Sequence, residues 1–134
     1  MIIEKNNYVQ SLKHIYIHDS HIKDLQINYG KHTINLLLYN NWLKKQFNFE
    51  FIEVFHLEFT QLGCWGESED ILDVDINLVA KDFFLKPNDK NASRLLDFDP
   101  NSILQCSFEF ASGDNLNIIC TTIFYEEIRL NKLS

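Results

Sequence analysis

Apolar and polar residues alternate with a period of two through most of this chain, the pattern of strands with one buried face and one wet face. From Ile22 to Tyr29, Leu25, Ile27 and Tyr29 fall on one side and Asp24, Gln26 and Asn28 on the other. Gly30-Lys31 predicts a two-residue turn into His32–Tyr39, where Ile34, Leu36 and Leu38 alternate with Thr33, Asn35 and Leu37, so the two segments predict a hairpin. Asn40-Asn41 and Trp42-Leu43-Lys44-Lys45 read as a second connection. The clearest alternation follows: Phe47, Phe49, Phe51, Phe55, Leu57 and Phe59 share one parity, against Asn48, Glu50, His56 and Glu58. At about 3.3 Å per residue, Phe47 to Phe59 would run about 43 Å, well beyond ordinary strand length. A bend, a bulge or a split into two strands is therefore expected near Ile52-Glu53-Val54, where the apolar parity briefly switches.

Gln61–Asp70, punctuated by Gly63 and Gly66, reads as a loop, and Ile71–Val79 alternates again, with Leu72, Val74, Ile76 and Leu78 against Asp73, Asp75 and Asn77. Lys81–Ser102, with Pro87, Pro100 and many Asn and Asp residues, is the longest irregular stretch, and one short helical turn is expected at Ala92–Leu96 behind an Asn91 cap. Two last strands, Ile103–Ala111 and Asn115–Leu130, flank a tight turn at Ser112-Gly113-Asp114. Leu104, Cys106, Phe108 and Phe110 form one face of the first; Leu116, Ile118, Cys120, Thr122 and Phe124 form one face of the second. The expected architecture is mainly β: residues 1–134 as a single domain, an antiparallel sandwich or partly closed barrel of about six to eight strands with at most a short helix. Strand order is not legible in the pattern.

Composition supports that picture: 134 residues with 46% hydrophobic and 13% aromatic content can bury a core without a metal or disulfides. The charge narrows the partners. Twelve basic residues stand against 19 acidic ones, a net charge of −7, which argues against nucleic acid and against an anionic membrane surface; such a charge can steer a basic protein partner, though solubility alone is its commoner reason. Cys64, Cys106 and Cys120 are odd in number and lack a C-x-x-C pair, so free thiols acting as small core hydrophobes are expected, with no cofactor. Met1–Asn7 lacks a signal peptide's basic and apolar regions, and no run reaches the roughly 18 apolar residues of a membrane span, so the expected location is the cytoplasm. An unpaired outer strand would allow a dimer.

Three constellations could carry chemistry. His14, His18, Asp19 and His21 lie within eight residues, and on a strand His14, Tyr16 and His18 would share a face with His21 turned back toward them, a donor set suited to zinc. The plainer reading is a turn at Asp19-Ser20 with surface histidines. Glu53 and Glu126 occupy positions otherwise taken by apolar residues; as desolvated carboxylates they would form an acid–base pair, whereas at a bulge or strand end they would reach water. Asp73 and Asp75, and Asp97 and Asp99, have the spacing of calcium-binding pairs but also of solvated faces. Finally, Cys64-Trp65-Gly66-Glu67-Ser68 places an indole in a glycine-flanked loop beside Glu69 and Asp70, either a recognition loop or a plug for the core. No phosphate-cradling glycine loop, nucleophile elbow or H-E-x-x-H motif is present.

His18-Asp19-Ser20-His21-Ile22 leading into alternating strands, with Trp65-Gly66-Glu67-Ser68 followed by Ile71, resembles a group of small bacterial domains of unknown function, some classed with the immunity proteins of toxin systems. The resemblance implies a non-enzymatic cytoplasmic protein that binds and neutralises a toxin, and it brings no catalytic residues. Glu67, Glu69 and Asp70 depart from the Ser- or Pro-rich context that often follows the W-G pair, which leaves the partner open. The leading expectation is thus a protein-binding module using an acidic and aromatic surface around Trp65, Glu67, Glu69 and Asp70. A metal-binding domain or metal-dependent hydrolase built on His14–His21 and a carrier of a small apolar ligand are the alternatives.

Overall fold

A computed structural model describes residues 1–60, 70–79 and 102–129. These form nine strands and one short helix: β1 (Ile2–Ile3), α1 (Tyr8–Leu12), β2 (His21–Asn28), β3 (Thr33–Asn40), β4 (Lys45–Ile52), β5 (His56–Thr60), β6 (Ile71–Leu78), β7 (Leu104–Phe110), β8 (Asn115–Cys120) and β9 (Thr122–Arg129). Two antiparallel sheets result, one ordered β1-β9-β4-β3-β2 and the other β5-β8-β7-β6. The arrangement is a β-sandwich, and among the described residues neither sheet closes into a barrel. The expected helical turn at Ala92–Leu96 lies outside the described residues, while α1, which the alternation did not reveal, packs Tyr8 and Leu12 against the core from successive turns.

The two long alternating segments each contribute to both sheets. The Phe47–Phe59 run breaks where the parity switch placed it: β4 ends at Ile52, Glu53 takes a left-handed φ of 55°, and β5 starts at His56 in the other sheet. Between the paired positions Ile52↔Thr122 and His56↔Ile119, residues 53–55 face only residues 120 and 121, so one extra residue bends the ribbon. The Asn115–Leu130 segment is likewise two strands, not one, because Thr121 breaks it and its N–H and hydroxyl both point to the Ile52 carbonyl. A strand that changes sheets at a bend is a common way to turn the corner of a sandwich. These breaks, with the two-residue β1, raise the strand number above the expected six to eight.

The inner faces carry the core. Ile34, Leu36 and Leu38 of β3, Phe47, Phe49 and Phe51 of β4, and Ile123 and Tyr125 of β9 face Cys106, Phe108 and Phe110 of β7 and Leu116, Ile118 and Cys120 of β8. Phe49 joins the layers, with its ring edge-on to Phe108 at 5.4 Å and tilted against Tyr125 at 4.9 Å. The Phe-rich faces are thus spent on packing against one another.

Two details of the pattern read differently in the structure. The β2–β3 turn spans four residues, 29–32, because Asn28 pairs with Thr33; the Asn28 side chain accepts the Lys31 N–H at 3.1 Å, and the left-handed position is His32, not Gly30. In β6 a register shift between Ile71 and Asp73 turns Ile71 into the core and leaves Leu72 outside, reversing the expected face at that end. The final hairpin follows its sequence more closely: Gly113, at φ 92°, completes a three-residue turn in which the Phe110 N–H donates to the Asp114 carbonyl and the Gly113 N–H to the Phe110 carbonyl, both at 2.9 Å.

Candidate functional site

The sequence-derived candidates that fall on described residues can be placed; Asp97 and Asp99 lie outside them. Trp65, Glu67 and Glu69 lie outside the described residues; Asp70, half-buried at the head of β6, accepts the Ala111 N–H through its carbonyl at 2.8 Å. The histidine segment keeps its alternation, with Ile15 and Ile17 buried and His14, Tyr16 and His18 outside. It works as a strap between the sheets: the Asp19 N–H donates to the Ile71 carbonyl and the Ile71 N–H to the Ser20 carbonyl, both at 2.8 Å. His18 packs down with Nδ1 2.8 Å from the Leu72 carbonyl and Nε2 3.4 Å from the Asp19 carboxylate. His21 instead meets Tyr39 edge-on at 5.7 Å. The four donors are therefore not brought together, and among the described residues no group of three His, Cys, Asp or Glu side chains could hold a metal ion.

The paired-carboxylate expectation is corrected. Glu53 is exposed at the corner bulge, and Glu126 is exposed on the outer side of β9. The break at Thr121 flips the parity: Ile123 and Tyr125, not Thr122 and Phe124, point into the core, so Glu126 turns outward with Phe124. The thiols of Cys106 and Cys120 are buried and held protonated, chiefly by desolvation, as expected for small core hydrophobes. Among the described residues the buried Tyr125 hydroxyl has no hydrogen-bond partner, and burial, followed by the nearby Glu127 carboxylate, pushes its ionisation up.

Bringing Glu126 outward completes a surface that the pattern only half showed. The outer side of the five-stranded sheet is a shallow concavity of about 360 Å³. Register fixes its layout: Phe124 of β9 stands opposite Glu50 of β4, and Glu126 opposite Asn48; Asn35 and Leu37 of β3 continue the two rows, which end on Gln26 and Asp24 of β2. Glu50 and Glu126 are diagonal neighbours on adjacent strands, close enough for like charges to repel. Three carboxylates and four carboxamides line the concavity, with Leu37 and Phe124 as apolar contacts and no Lys or Arg. Among the described residues neither Glu50 nor Glu126 has an ion-pair partner, whereas Glu127, one residue on and facing the inner rim, pairs with Lys45 at 2.7 Å. Asp24 accepts a hydrogen bond from Gln26 at 2.9 Å.

At one end of this face the β3–β4 turn carries Trp42, 86% exposed, and Leu43, 49% exposed. Asn40 fixes that turn. It is 2% exposed, its Oδ1 accepts the Trp42 and Leu43 N–H groups at 3.0 and 2.9 Å, and its Nδ2 donates to the His18 carbonyl at 3.0 Å. Trp42 escaped the sequence reading as a surface feature, although a Trp in the middle of a short turn behind Asn-Asn has only solvent to point into. Compared with known proteins, the chain matches no family model and no curated protein.

Proposed function

We propose that this protein is a non-enzymatic binding module that docks a basic protein on the outer face of its five-stranded sheet. The observation that carries the reading is the lining of that concavity: Asp24, Glu50 and Glu126 among carboxamides, around Phe124 and Leu37, with no cation. Like charges on adjacent strands cost stability in the free protein, and a cationic partner removes that cost on binding. Carboxamides hold the surface polar without adding charge, and an exposed aromatic ring offers both apolar contact and a face for a guanidinium. An immunity-like role, in which the partner is a toxin blocked by occlusion, agrees with this surface and with the net charge of −7.

The test compares baits in lysate of the encoding organism at about 50 mM and about 500 mM salt, where screening lengths differ several-fold. The wild type should retain a basic protein at low salt that elutes at high salt. A triple variant, Asp24→Asn with Glu50→Gln and Glu126→Gln, should lose it, and a control variant on the other sheet, Asp73→Asn with Asp75→Asn, should keep it. Equal retention by wild type and triple variant refutes the assignment of the face.

A further inference from the structure

The acidic face is not uniform, and the register singles out the part of it on β4 and β9. Phe124, whose ring is 39% exposed, stands directly opposite Glu50, and Glu126, two residues further along the same side of β9, stands opposite Asn48. Directly opposed residues hold their Cβ atoms about 5 Å apart and diagonal ones about 7–8 Å, so both carboxylates are within a side chain's reach of the space above the Phe124 ring. Asn35 of β3 flanks Glu50 on its other side. The cations of these two strands are turned away: Lys45 and Arg129 share the parity of the core residues Phe47 and Tyr125, and Lys45 is paired with Glu127 at 2.7 Å. Asp24, the third carboxylate of the concavity, differs from Glu50 and Glu126. It lies on β2, two strands from β4, and already accepts the Gln26 amide at 2.9 Å.

We propose that Phe124, Glu50 and Glu126 form a subsite for one arginine side chain of the basic partner, so that the partner is anchored by a guanidinium and not by a lysine ammonium. This rests on the binding role above and specifies its chemistry. A guanidinium is flat: it lies face-down on an aromatic ring while its N–H groups, pointing outward in its own plane, donate to acceptors at the ring's margin. The register supplies that margin, with Glu50 across from the ring, Glu126 diagonal to Glu50, and the Asn48 and Asn35 carboxamides beside them. Five guanidinium N–H groups need this many acceptors, whereas an ammonium has three donors. A tetrahedral ammonium over the ring also turns part of its donor set toward carbon. It is more strongly hydrated as well, so losing water in a shallow concavity costs it more than it costs a guanidinium. Two carboxylates on adjacent strands with no ion-pair partner among the described residues leave the subsite unoccupied by the chain's own cations.

The test uses two blocked peptides of equal charge, acetyl-Lys-Gly-Arg-Gly-Lys-amide and acetyl-Lys-Gly-Lys-Gly-Lys-amide, titrated into the isotopically labelled full chain at about 50 mM salt and followed by amide chemical shifts. Long-range attraction is the same for both, so their difference reports the central side chain alone. The wild type should bind the arginine peptide about three- to ten-fold more tightly, with the largest shifts at Glu50, Phe124 and Glu126. Phe124→Leu keeps both carboxylates and removes the ring, and it should bind the two peptides alike; Phe124→Met replaces it if circular dichroism shows that the leucine variant does not fold. Glu50→Gln and Glu126→Gln should each reduce the preference, while Asp24→Asn should weaken both peptides by a similar factor and leave the preference intact. A wild type that binds the two peptides equally or binds neither, a preference that survives in Phe124→Leu, or one that Asp24→Asn abolishes would each overturn the proposal. Retention of a basic protein from lysate reads the binding role by itself, so a face that captures such a protein yet treats the two peptides alike keeps the role and loses only the arginine subsite.

Discussion

Asn40→Ala is the sharpest test of how the fold presents its surface. The side chain is buried and makes three hydrogen bonds of 2.9–3.0 Å, two accepted from the Trp42 and Leu43 N–H groups and one donated to the His18 carbonyl, with a longer contact of 3.4 Å to the Ser20 hydroxyl. Each bond is worth about 0.5–1.5 kcal/mol net, and the part-buried His18 carbonyl left without its donor adds a penalty. The two turn N–H groups lie at an exposed tip and can turn to water, so they count at the low end. The sum is about 2–4 kcal/mol, a large part of the roughly 5–15 kcal/mol that stabilises an ordinary domain. At roughly 4 °C per kcal/mol for a chain of this size, the thermal midpoint should fall by about 8–16 °C. Urea denaturation followed by circular dichroism measures the change as a lower midpoint at constant slope. Asn40→Asp separates this account from a simple loss of bulk: it keeps the acceptor but turns a carboxylate oxygen toward the His18 carbonyl, so it should destabilise at least as much as Ala. A loss below about 0.5 kcal/mol for Asn40→Ala, or an Asp variant as stable as wild type, would refute the reasoning.

Five further outcomes rest on the same structure. Phe49→Ala removes the ring that bridges the sheets through Phe108 and Tyr125 and should cost about 3–5 kcal/mol in the same denaturation assay. Tyr125→Phe deletes a buried hydroxyl with no partner among the described residues and should leave stability equal or raise it by about 1 kcal/mol; a clear loss would mean the hydroxyl is satisfied in solution. Glu50→Gln and Glu126→Gln relieve repulsion between diagonal neighbours and should hold or slightly raise the thermal midpoint while weakening partner binding, the reverse of what a structural role would give. Cys106 and Cys120 should resist thiol reagents until the chain unfolds. Burial raises the ionisation of both thiols and of Tyr125 above their unfolded values, so the folded state holds protons that the unfolded state releases. Their contribution is therefore complete below about pH 8 and is lost as pH climbs past about 8.5 to 10, which a series of alkaline melts would record.

Much of the sandwich was legible because one face of most strands is dry. The Phe47–Phe51 parity survived intact, and the switch at Ile52-Glu53-Val54 marked the corner because a bulge adds one residue and so shifts the alternation. The second corner left a fainter trace. At Thr121 no Gly or Pro interrupts the chain, and the only sign was the run of consecutive apolar residues at Ile118-Ile119-Cys120, where both sides of β8 are covered. Missing that flip put Phe124 and Glu126 on the wrong side, which concealed the acidic face, since its two halves sit on strands far apart in sequence. The bulge at Leu72 misled in the same way over a shorter distance. For the histidines the local alternation was readable, but their assembly was not, because the partners of His18 and His21 are the Leu72 carbonyl and the Tyr39 ring, set by pairing between distant segments.

The binding role requires that the outer face of the five-stranded sheet be the surface that meets the partner. Carbodiimide labelling of carboxylates, read by mass spectrometry with and without the retained basic protein, measures this residue by residue. Docking on that face predicts protection of Asp24, Glu50 and Glu126 in the complex, with Asp73 and Asp75 labelled as in the free protein. Unchanged labelling at Glu50 and Glu126, with protection at Asp73 and Asp75 instead, would contradict it and move the binding surface to the other sheet.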